Sequence, residues 1–245
     1  YLFAVPALIW LIVFCYVPMG GIVVAFKRYT GAYSIWESRW VGMRWFNSFF
    51  KSYYFEQVIV NTLRLSLYNL ATFPLPIILA LMLNELRHEG IKRTIQTILY
   101  TPHFISTVVI CSMISLFFAQ ETGFVTKVIE SITGTAPKWL TSADAFPHLY
   151  VWSGVWQQMG WNTIIYVAAL SGVSHELHEA AELDGASRWD RVIHVDLPAI
   201  TPTVGIMLIM RCGSLVSVGF EKAFLMQNSL NLSKSEVIST YVYKK

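Results

Sequence analysis

Residues 2–26 read LFAVPALIWLIVFCYVPMGGIVVAF and contain no Asp, Glu, Lys or Arg. The hydrocarbon core of a bilayer needs about 20 mostly apolar residues to be crossed by a helix. No water is available there to satisfy backbone N–H and C=O groups, so a run of this kind is predicted to be an α-helix. It lacks a basic leader and a small-residue cleavage site, and is read as a span rather than a signal peptide. Four further runs have the same character: about Val58–Leu83, Ile95–Phe118, Leu149–Val173 and Ile200–Phe220. Arg64 interrupts the second and Arg211 the fifth. No stretch alternates with the period of a lipid-facing barrel strand.

The bulk composition agrees. Of 245 residues, 55% are hydrophobic and only 13% charged, about half the charged share of an ordinary soluble domain. The mean hydropathy is +0.50. The net charge of +3 is dispersed, so there is no basic stripe for nucleic acid. Cys15, Cys111 and Cys212 all lie in apolar runs and read as small buried hydrophobes. The expectation is a single all-α integral membrane domain over 1–245, five spans visible. Both ends read as cut.

Four connections separate the spans. Lys27–Gln57 is long and aromatic-rich, Asn84–Thr94 short and charged, Ala119–His148 long with Gly and Pro, and Ser174–Ala199 charged and helical. The tail from Glu221 is polar. Lys27–Gln57 is the most basic of the long connections, and the positive-inside rule alone would put it in the cytoplasm.

The fourth connection carries the chemistry. Residues 174–198, SHELHEAAELDGASRWDRVIHVDLP, read as two short helices around a tight turn. Ser174 is placed to N-cap the first, with Glu176 in its first turn, where the helix dipole favours an anion. Asp184-Gly185 ends it, the glycine supplying a left-handed residue. Ser187 and Asp190 have capping-box spacing for the second helix. Pro198 suits the first turn of the fifth span. Ala180, Ala181, Gly185 and Ala186 are small enough to let another backbone approach, and Glu179, Glu182 and Asp184 ring them with negative charge. That is a socket for a protein rather than a face for lipid. His175 and His178 are three apart, one short of the zinc-protease helix spacing. They are read as surface residues, and no metal or catalytic site is assigned.

Glu179-Ala180-Ala181, Gly185 four residues after the second alanine, and Val195-Asp196-Leu197-Pro198 ten residues beyond that glycine resemble the EAA loop of permease subunits of binding-protein-dependent ATP-binding-cassette (ABC) importers. Val195 stands where that pattern has Ile. Trp40-Val41-Gly42-Met43-Arg44-Trp45-Phe46, Pro102-His103-Phe104-Ile105-Ser106 and Glu236-Val237-Ile238-Ser239-Thr240-Tyr241 resemble the LplB-type branch of sugar permeases, itself similar to the maltose-type group. The resemblance implies a type I importer core with a sixth span beyond Lys245, in the cytoplasmic membrane of a prokaryote. It puts the EAA loop in the cytoplasm and Lys27–Gln57 outside, against the charge bias.

It further implies that Glu179, Ala180, Ala181, Asp184, Gly185, Ala186, Leu197 and Pro198 couple to an ATPase. The implied partners are a second permease, two ATPase subunits holding ATP and Mg, and an extracytoplasmic binding protein that delivers an oligosaccharide. This chain has no G-x-x-x-x-G-K-[ST] loop to cradle a nucleotide, and no cofactor of its own is expected. Within the spans, Arg211, Gln157, Gln158 and Asn162 are the candidates to line a substrate path. Ionisable groups at membrane depth usually face a bundle interior or water, although a structurally paired arginine would look the same. Pro74 and Pro76 are expected to bend the second span. Two alternatives stay open: a non-sugar cargo for the same architecture, and a membrane-embedded enzyme.

Overall fold

The computed structural model describes residues 2–31 and 34–244. Tyr1, Ala32, Tyr33 and Lys245 lie outside the described residues. Among the described residues there is no strand, only an isolated antiparallel bridge between Lys27 and Trp40. The chain divides into two compact units, Tyr1–Glu56 and Gln57–Lys245.

In the first unit, helix α1 (Val5–Phe26) is long and apolar enough to cross a membrane, and no residue of its most apolar stretch is buried within the chain. It widens to a π turn at Ile12–Tyr16, where the Val17 N–H reaches back to Ile12 O. Pro18 follows. A proline ring in a regular helix clashes with the carbonyl four residues earlier, and one turn of i→i−5 bonding relieves the clash. The 40–46 segment folds back on the end of this helix. Trp40 stacks on Phe26 at 5.6 Å, Trp45 Nε1 donates to Lys27 O at 3.0 Å, and Lys27 Nζ donates to the Ile35 and Trp36 carbonyls. A short helix, α2 (Arg44–Phe50), follows.

The second unit is built around the helix at Ala145–Leu170. Helix α3 (Tyr54–Asn84) is long enough to span. It tightens at Thr72–Phe73, where i→i−3 bonds lead into Pro74. Residues 95–118 are not one straight helix. α4 (Glu89–Phe104) and α5 (Thr107–Phe117) meet at 98°. Pro102 lacks the N–H that would continue the ladder, Ile105 and Ser106 are extended, and the Ser106 hydroxyl accepts from Val109 N to start α5. After α6 (Phe124–Thr133) comes α7 (Ala145–Leu170), without a charged residue in its 26 positions.

α8 (His175–Leu183) is short and exposed. α9 (Arg188–Gly213) begins far upstream of residue 200 and ends before 220. Pro198 therefore does not open a helix. It sits inside a continuous one, made possible by a π turn at Val192–Asp196 in which the Leu197 N–H bonds to Val192 O. The same pairing of π turn and proline thus occurs in α1 and α9.

Side chains of α7 supply two packed clusters. Phe146, Tyr150 and Val151 meet Leu65, Ala223 and Val237. Tyr166 and Leu170 meet Ile77, Ala80 and Ile200. Lipid is as apolar as leucine, so these clusters hold through close packing rather than escape from water. Gly160 shows how close the packing is: a Cβ there would lie 2.0 Å from Leu99 O of α4.

The tail, polar in sequence, is not loose. It forms α10 (Phe220–Met226), α11 (Leu232–Ser235) and α12 (Ile238–Tyr243). Asn61 of α3 donates to the Ser233 and Glu236 carbonyls, and Ile238 N donates to Thr62 Oγ1. Of the cysteines only Cys111 is buried, Cys212 being exposed. The apolar run around Cys212 faces away from this chain's core.

Candidate functional site

Residues 174–198 form a hinged elbow of two helices. The Ser174 hydroxyl accepts from Glu176 N at 3.2 Å and starts α8. At the far end Gly185 has φ +81°. Gly185 N donates to Glu182 O and Ala186 N to Ala181 O, the paired bonds that close a helix on a left-handed residue. Ser187 and Asp190 then form the reciprocal capping box. The two serine caps and the left-handed glycine stop expected of this segment from its sequence are present.

The elbow's outer surface is open. Glu179, Ala180, Asp184 and Gly185 are exposed, Ala181 and Ala186 half-buried, and Leu197 and Pro198 exposed. Apolar side chains stand out among them, with Leu183 90% and Trp189 70% exposed. Large apolar side chains this exposed among charged ones are unusual on a solvated loop.

The inner surface is locked by two ion pairs that sequence reasoning did not foresee. Arg191 of α9 donates to Glu182 of α8 through Nη1. Beneath them Asp196 is buried, its side chain 1% exposed, with His178 Nε2 at 3.2 Å from Oδ1. Neither carboxylate oxygen has a well-aligned hydrogen bond among the described residues, so the His178 ring nitrogen beside it is the polar group placed to compensate it. His178 is thus not the surface residue its spacing suggested. Its side chain is 24% exposed, while His175, 85% exposed, reaches only Glu179 on the same helix. The signal was present in sequence: a lone acid inside the otherwise apolar Val195-Asp196-Leu197-Pro198.

A second feature lies along α7. A cavity of about 630 Å³ opens between α3, α5, α7, α9 and α10. Gln157, Gln158, Asn162 and Arg211, the four residues singled out in the spans, all line it. Their states differ. Gln157 is buried, and its Nε2 donates at 2.8 Å to Ile105 O, one of the carbonyls left free by the α4–α5 break. Gln158 bonds through Oε1 with His103 Nδ1 at 2.9 Å, and His103 stacks on Trp161 at 4.1 Å. Asn162 and Arg211 have no hydrogen bond from their side chains among the described residues. Arg64 does not line the cavity. The wall also holds Glu221 and Lys222, which lie in the tail and were not singled out.

Residues 72–244 match the model of the binding-protein-dependent transport system inner membrane components. The chain belongs to this family. As a permease component of a binding-protein-dependent importer it is the membrane-spanning transport subunit, and ATP hydrolysis in the family is done by separate ATPase subunits. It is 44% identical over 244 residues to the protein LplB of Bacillus subtilis (strain 168), covering 99% of this chain and 77% of that one. It is 39% identical to the polygalacturonan/rhamnogalacturonan transport system permease protein YteP of the same organism, covering 99% and 76%. Among solved structures it superposes with a TM-score of 0.92 and 37% identity on a bacterial ABC transporter involved in the import of the acidic polysaccharide alginate, covering 100% of this chain and 82% of that chain.

Proposed function

We propose that this permease carries an oligosaccharide through the cavity along α7, and that residues 174–199 couple it to ATP on the cytoplasmic side. The observation that carries the coupling reading is the elbow itself: a surface of small and apolar residues, with a left-handed glycine at its apex and a rigid ion-paired underside. An exposed α8 that moved with an ATPase subunit would transmit force to α9 through Glu182–Arg191 and His178–Asp196. α9 runs from the elbow to the cavity without a break, so the two sites share one lever. ATP and Mg are held in the partner ATPases, and a second permease completes the path, giving a rigid-body switch between two packed states.

The 26 residues of α7 separate the elbow from the 119–144 connection by roughly 39 Å at 1.5 Å per residue. That connection therefore faces the extracytoplasmic side, where a binding protein delivers cargo. The saccharide cargoes named for YteP and for the alginate transporter, with the amide and aromatic lining of the cavity, support a sugar over other solutes.

The test is ATPase activity of the reconstituted complex, with partner permease, ATPase and binding protein, against a panel of oligosaccharides. Wild type is expected to respond to at least one saccharide. Gly185→Asp, which puts a side chain and a charge at the apex, is expected to assemble and lose that response. A Gly185→Asp complex that responds like wild type would overturn the coupling role.

A further inference from the structure

The cavity wall carries three charged side chains, Arg211, Glu221 and Lys222, an excess of one positive charge. Among the described residues neither Lys222 nor Arg211 has a carboxylate within ion-pair distance. Lys222 is held in a defined place. Its Nζ donates to Tyr150 O at 2.8 Å and sits 5.0 Å from the centre of the Tyr150 ring. Gly154 leaves the room it needs, since a Cβ there would lie 3.2 Å from Nζ. An ammonium has three N–H donors, and only one is used. A cation in a low-dielectric wall is costly unless an anion compensates it. Neutral sugar hydroxyls need only amides, carbonyls and aromatic faces, all of which the wall already has.

We propose that Lys222 binds a carboxylate of the transported saccharide, so that the cargo is an oligosaccharide bearing uronic acid residues. This rests on the import reading above and names the cargo's charge. Arg211, on the same wall, adds to the field that favours an anion.

The experiment measures equilibrium binding to the complete transporter in nanodiscs, without binding protein, held by ATP and vanadate. The probes are tetrasaccharides of galacturonate, glucuronate and mannuronate, each beside its neutral methyl ester. At least one acid is expected to bind about 10- to 100-fold more tightly than its ester, the range of one charge-assisted contact. Lys222→Met should abolish that ratio and Lys222→Arg should keep most of it. Equal affinity for acid and ester, binding of neither, or an unchanged ratio in Lys222→Met would each overturn the inference. Loss of the partner permease from Lys222→Met complexes, with the ratio intact, would place the carboxylate on that partner and overturn it too. The import reading fails separately, if no saccharide, acidic or neutral, stimulates ATPase activity in the presence of the binding protein.

Discussion

The elbow at 174–198 and the wall of α7 are held together in opposite ways. Within the elbow the determinants are local: two serine caps, one left-handed glycine and two ion pairs join residues no more than 18 positions apart. The wall is a meeting of distant segments, with Gln157 bonded to Ile105, Thr163 to Pro76 and Lys222 to Tyr150. A local device can be tuned by side-chain charge while its helices stay formed. A packed wall tolerates almost no change in backbone separation.

The largest effect is therefore expected in the wall. Gly160→Ala would set a methyl 2.0 Å from Leu99 O and 2.5 Å from Leu99 C. Backbone on both sides leaves no side chain to swing away, so α4 and α7 must separate. The cost is about 3 kcal/mol or more, the upper range for overpacking. Thermal unfolding of the purified transporter should show a clear drop. Gly90→Ala, on the same α4 with nothing within 4 Å, is the control and should show none. Equal behaviour of the two variants would mean that α4 and α7 are not packed as closely as described.

The same contrast explains what could be read in advance. The capping serines, the Asp184-Gly185 stop and the small-residue face were legible because each acts on its own neighbours in sequence. The position of Pro198 is not legible in the sequence, because a proline usually opens or breaks a helix. Here a π turn at Val192–Asp196 lets one helix run through it. The 98° break between α4 and α5 was hidden by hydropathy, which stays high across Pro102–Ser106 and carries no information on direction. Gln157, Gln158, Asn162 and Arg211, which line the cavity, are legible in the sequence because polar groups stand out in apolar spans. Lys222 is not legible in the sequence, because it lies beyond the last apolar run, in the tail, and only folding brings α10 against Tyr150.

The underside of the elbow offers an intermediate test. His178→Ala would leave Asp196 buried without its partner. Stranding a fully buried charge costs about 3–5 kcal/mol. His178 retains some exposure, so about 2 kcal/mol is the better figure. The loss should be local, with faster hydrogen exchange across 174–198 and unchanged exchange in α7. Adding Asp196→Asn removes the stranded charge and should restore protection. If exchange rises equally in α7, the elbow is not the separate device described above.

The smallest effect belongs to an exposed pair that ties the tail to the start of α7. Lys234 donates to the Asp144 carboxylate and holds that carboxyl below the usual carboxylate range, through the hydrogen bond first and then the nearby charge. A depressed acid contributes stability above its unfolded pKa of about 3.9 and loses it as pH falls through the lower folded value. Protection of the 231–235 amides, taken relative to their intrinsic exchange at each pH, should thus be flat between about pH 5 and pH 8 and fall below about pH 4. Glu236 also pairs with Lys244 nearby, at 3.0 Å. Lys234→Met separates the two, because it removes only the Asp144 share of the acid response. The pair is exposed, so that share should shrink further as salt is added. If the acid response of Lys234→Met equals that of wild type, the tail is held by the Asn61 and Asn231 hydrogen bonds alone. In that case the polar clamp at this end of α7 would be as insensitive to charge as the packed wall.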